Sequence, residues 1–263
     1  MRNPPPATIE VTTDTPTVPD KIMVYKILYP TVDDEFAANL SKKLDFEDNL
    51  IPVKSGETRL VYTYVNSTHY LEISLEGNML LAWSKGIPPP TSLLSEEQSI
   101  SLAEGWLKSH GLLIKDDSYR TGVGKYYQVD SVTYAYSVKF TLNINDYETC
   151  NEGFVVVVGD GGHIFRMQSY RHNLEPYGEF KLKSPGQALS LLEDYIENGE
   201  SESKEIMVNT RLFGQLTITE VKLQYLSGKG YLQPVYVFKG VARLTPEATP
   251  EGFEGSVDAL DRS

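Results

Sequence analysis

Cysteine is almost missing from this chain: Cys150 is the only one, which excludes an internal disulfide and any cysteine-based zinc cluster within one chain. Tryptophan is scarce too, with two residues against seventeen tyrosines. That balance suits half-buried sheets whose phenol oxygens reach water. No stretch of eighteen or more apolar residues occurs and the start is not basic-then-apolar, so neither a transmembrane helix nor a signal peptide is expected within these residues. Positive charge is in deficit, 24 Lys and Arg against 36 Asp and Glu, for a net charge of -12. A phosphate backbone or an anionic membrane surface would be repelled, which argues against nucleic acid as a partner.

Reaction motifs are equally scarce. There is no G-x-S-x-G elbow, H-E-x-x-H, Walker loop, dinucleotide fingerprint or EF-hand loop. The stretch "TGVGKYY" holds Gly124-Lys125 without the other glycines and the Ser or Thr of a phosphate cradle, so it reads as a loop. His69, His110, His163 and His172 lack metal-ligand spacing. Asp160 and His163 in "GDGGH" could serve a metal or acid/base work, but a tight hairpin demands those glycines anyway. Asp33-Asp34 and Glu96-Glu97 open helices, where the macrodipole accounts for them; Asp116-Asp117 is a third pair. Cys150 has no adjacent cation to lower its pKa. No catalytic residue, cofactor or metal site is expected.

What is present is punctuation. Ser95 and Gln98 form a capping box ahead of a helix closing near Gly111, and Ser184, Pro185 and Gln187 open a second that runs to Gly199. Shifting one segment by 89 residues superposes Ser95 on Ser184, Gln98 on Gln187 and Glu104 on Glu193, the mark of an internal repeat. A fainter helix lies in "DDEFAANLSKKLDF". Alternating strands follow each helix, including "TYAYSVKFTLN", with Tyr134 to Leu142 on a core face and the other face wet. The expected fold is therefore α+β, with repeated units of one helix packed on an antiparallel sheet. The expected divisions are a disordered Pro/Thr-rich tether at 1–20 and helix-plus-sheet units at 21–88, 91–182 and 183–263.

The stretch "YLQPVYVFKG" carries Pro234 inside a strand, which calls for an edge or a bulge. Val235 to Phe238 are apolar on both faces, so Pro234, Val235 and Val237 mark a candidate interface. Asn66-Ser67-Thr68 is a glycosylation sequon, making Asn66 a candidate modification site in an exported chain.

Three segments in order, "LSEEQSISLAEGWLKSHGLL", "KSPGQALSLLEDY" and "YLQPVYVFKG", resemble the YycH/YycI type of extracytoplasmic regulatory ectodomain with PepSY-like repeats; the likeness covers about residues 93 to 260, and "GFEGSVDALD" is similar to its final strand. It implies a non-enzymatic protein outside the cytoplasm, anchored through an N-terminal segment upstream of Met1, whose partner is another protein such as a membrane sensor. It carries over no binding residue. The alternatives are a hydrolase with carboxylates assembled from distant segments and a PepSY-like peptidase inhibitor.

Overall fold

The computed structural model describes residues 8–46, 60–85, 87–198, 206–208, 214–245 and 247–262. Strands hold 53% of the described residues and three short helices 18%, so the protein is predominantly β, and the α+β expectation of repeated helix-on-sheet units is overturned. The chain divides into two compact units, one of residues Leu28–Asn173 and one joining the residues up to Ile27 with those from Leu174 onward.

The Leu28–Asn173 unit is an antiparallel sheet. β3 (Leu60–Val65), β4 (His69–Ser74) and β5 (Met79–Trp83) form a meander, and β6 (Ser118–Val129), β7 (Val132–Ile144), β8 (Tyr147–Val158) and β9 (Ile164–Ser169) form another. Pairing of β5 with β9 joins them in the order β6-β7-β8-β9-β5-β4-β3. Two helices, α1 (Asp34–Lys43) and α2 (Glu96–Ser109), share the core of this one sheet: Ala37 and Leu44 from α1 side, Ala103 and Leu107 from α2, meet Leu71, Val138, Phe140 and Val156. That sharing is why one helix per sheet fails. The opposite face is not uniformly wet either, because Ala135, Val157 and Phe165 form a small buried cluster there with Trp83 against it.

Local chemistry sets both helix ends. Ser95 accepts from the Gln98 amide while Gln98 caps the Ser95 N–H. After α2 the Leu112 N–H returns to Leu107 and the Gly111 N–H to Lys108, with Gly111 at φ +57°, a Schellman stop that glycine adopts without strain. Asp33 caps α1 through the Phe36 amide at 2.8 Å.

In the other unit, β13 (Tyr231–Arg243) is central. It pairs with β12 (Gln215–Gly228) along one side; along the other it meets β2 (Lys21–Leu28) at Tyr231 and Leu232, then β14 (Glu251–Asp258) from Val235 onward. Beyond β2 lies β10 (Asn173–Lys181), and beyond β14 lies β11 (Ile206–Val208). Helix α3 (Pro185–Asn198) packs on β14, and Ser184 and Gln187 form its capping box. Its buried residues include Ala188 and Leu192. β1 (Thr8–Val11) runs parallel to β12, so the Pro/Thr-rich opening is not a disordered tether throughout; the alternating Thr8-Ile9-Glu10-Val11 pairs as a strand.

Pro234 meets its constraint in a way the edge expectation did not foresee. It lies in an interior strand where β2 gives way to β14, and its carbonyl accepts the Ala259 N–H at 3.1 Å. Backbone N and O of one strand residue point the same way, so its missing N–H falls in the gap between two partner strands and no ladder bond is lost.

Candidate functional site

Among the described residues of the Leu28–Asn173 unit, a group of titratable side chains gathers where β9 ends. Arg171 and His172 follow β9, Glu152 lies on β8, and Asp117 and Tyr119 sit at the start of β6. Arg171 grips Asp117 through two parallel bonds, Nε to Oδ2 at 2.8 Å and Nη2 to Oδ1 at 3.1 Å, the planar fork geometry that suits guanidinium to carboxylate. Burial disfavours the Arg171 cation, but Asp117 outweighs it and its pKa is raised. The Tyr119 hydroxyl donates to Asp117 Oδ2 at 2.7 Å, and burial, then that bond, push the phenol well above its ordinary range.

Glu152 is the partner of His172 twice over, accepting the backbone N–H at 3.0 Å and facing Nδ1 at 3.0 Å. An ionised carboxylate only accepts, which assigns the shared hydrogen to Nδ1. Tyr29 lies edge-on to the imidazole at 5.3 Å; burial first, then Glu76 and Glu152, raise its pKa. Two atoms of the cluster, Arg171 Nη1 and His172 Nε2, are buried without a protein partner.

This polar belt has a groove against each end. One, of about 290 Å³, is lined by Phe36, Leu40, Glu76, Met79, Arg171 and His172. The other, of about 580 Å³, runs between α2 and β6 and is lined by Glu104, Lys108, Ile114, Lys115, Tyr119, Thr121 and Phe140 among others.

The residues singled out from sequence do not converge. Val235 and Val237 are 3% and 2% exposed and Pro234 is buried, so none of the three presents a surface to a partner. Asn66 is exposed at the β3–β4 turn, where its Oδ1 accepts from the Thr68 amide, the Thr68 hydroxyl and the His69 amide. Asp160 is a clamp: its carboxylate takes the Thr91 and Ser92 amides at 2.6 and 2.5 Å and the Thr91 hydroxyl at 2.9 Å, pinning the segment after the three prolines to the β8–β9 hairpin. The Ser92 amide is the main cause of its lowered pKa. Cys150 lies within β8.

Sequence reasoning missed Glu152 and Arg171, and weighed His172 and Asp117 only as members of other sets. Separations of 20 and 54 residues give no linear signal. The one hint was an acid, Glu152, two positions ahead of the apolar run Phe154–Val158.

Among the described residues no group of three or more His, Cys, Asp or Glu could hold a metal ion, and no helix is long and apolar enough to cross a membrane. No family model matches the chain, and no curated protein matches it.

Proposed function

We propose that the protein is a non-catalytic binding or regulatory domain that works outside the cytoplasm through contacts with another protein, held to the membrane in its full-length form. The observation that carries this is how the polar belt is used: the carboxylate oxygens of Asp117 and Glu152 are taken up by Arg171, Tyr119 and His172, so the acids bind strand ends together instead of facing open space. The resemblance to YycH/YycI-type ectodomains agrees with it and supplies the partner class, a membrane sensor protein. The net charge of -12 weighs against nucleic acid.

A hydrolase is the second reading, favoured by one atom: His172 Nε2 is oriented by a buried carboxylate on the other ring nitrogen and has no partner of its own. Photo-crosslinking of the whole chain on membranes separates the two. A discrete crosslinked protein that survives His172→Gln supports the binding reading; turnover of ester, peptide or glycoside substrates that disappears in the same variant overturns it.

A further inference from the structure

The smaller groove against the polar belt supports an inference that goes beyond the protein-contact reading and does not rest on it. The residues that line it all belong to the Leu28–Asn173 unit. Phe36, Leu40 and Met79 are half-buried there and Ile114 is exposed, so the apolar wall is open to an incoming molecule. A concave, largely apolar site with a few placed polar groups is what small ligands occupy. Its volume of about 290 Å³ suits a molecule the size of one amino acid and does not hold a peptide or a long acyl chain.

Charge decides which kind of molecule fits. The ionisable side chains of the lining are those of Lys43, Glu76, Arg171 and His172. Two are already engaged, Arg171 with Asp117 and His172 with Glu152. Lys43 and Glu76 form no ion pair, with each other or elsewhere among the described residues. The groove therefore holds one unmatched charge of each sign, and a simple cation or anion would suit one group while the other repelled it. A zwitterion answers both. Lys43 stands ready at the rim: its Nζ donates to the Gly111 carbonyl at 2.8 Å and keeps two hydrogens for another acceptor. Glu76 accepts from Asn78 Nδ2 through Oε2 at 3.4 Å, which leaves Oε1 for a further donor.

We propose that this groove binds an apolar α-amino acid, its carboxylate on Lys43, its ammonium on Glu76 and its side chain among Phe36, Leu40, Met79 and Ile114.

The test titrates the whole chain with L-leucine and three analogues, followed through side-chain methyl resonances in NMR spectra. 4-Methylpentanoate and 3-methylbutylamine each lack one of leucine's charged groups, and 5-aminopentanoate places the two charges at opposite ends. L-Leucine is expected to bind at least about tenfold more tightly than any of the three and to shift the methyl signals of Leu40, Met79 and Ile114. Lys43→Gln should weaken leucine at least about tenfold and leave the amine unchanged. Glu76→Gln should weaken leucine as much and leave 4-methylpentanoate unchanged. The wild-type titration alone decides the matter should a variant fold poorly. No shift at those methyls with leucine at about 10 mM, an analogue bound as tightly as leucine, or leucine affinity unchanged in either folded variant would each overturn the proposal.

Discussion

Glu152 and His172 face each other at 3.0 Å with the carboxylate entirely out of water and the imidazole nearly so. A lone carboxylate at that depth would be strongly disfavoured. The pair is tolerated because His172 offers two donors, its backbone N–H and Nδ1. It ties the residue leading into β10 to the middle of β8.

Glu152→Ala strips both His172 donors of their acceptor at once. Removing one member of a buried, hydrogen-bonded pair costs about 3 kcal/mol or more. Urea denaturation should show that loss, and combining it with His172→Ala should recover part of it; strictly additive losses would mean that the two side chains do not depend on each other.

Alkaline pH should act through tyrosine. The Tyr62 hydroxyl donates to Asp34 Oδ1 at 2.5 Å, and that bond, followed by burial, pushes its pKa from 10.0 up to about 12. Only the neutral phenol can donate, so the folded chain holds this proton more tightly than the unfolded chain. The resulting stability is complete below about pH 10 and is lost as pH rises to about 12. Tyr119 is shifted in the same direction. Denaturant midpoints followed through this range should fall less steeply in Tyr62→Phe than in wild type; parallel curves would refute the assignment.

Gly153 sits at φ +136°, and a Cβ there would lie 1.9 Å from the Phe140 carbonyl oxygen. The close approach accompanies the register break between Thr141 and Asn143, where β8 passes β7. Gly153→Ala should cost well over about 1 kcal/mol, since both the backbone angle and the contact forbid it. The drop in melting temperature is the readout.

Ser95→Ala and Ser184→Ala each remove a reciprocal cap from a fourteen-residue helix. Each should cost about 1 kcal/mol, and glycine at either position only a few tenths. Hydrogen exchange at the first turn of each helix measures the effect locally.

The sequence was most readable where one residue type does one local job. Caps, the Gly111 stop and the alternating core strands β7 and β12 all announce themselves, because half-burial writes a period of two and a helix end writes a specific pair. Edge strands write nothing of the kind. β6 reads as a loop: with one side free of any strand among the described residues it keeps glycines at 122 and 124 and the polar residues Arg120, Thr121 and Lys125 around them. β10 likewise combines Pro176 and Gly178 with an almost wholly exposed pattern. Overlooking such strands, together with β1 and β2, turned a largely β protein into an apparent set of helix-led units. The polar belt was hidden for a different reason, since its members come together only through strand pairing.

Because β2 pairs with β10 and β13, residues 21–28 have no strand partner until residues 173–181 have been synthesised. The Leu28–Asn173 stretch, complete in itself, can close on the ribosome before β12 has been made. Translation thus imposes an order of assembly: an early half that matures alone, and a late half whose first strand, β1, must wait for β12, a partner some two hundred residues downstream.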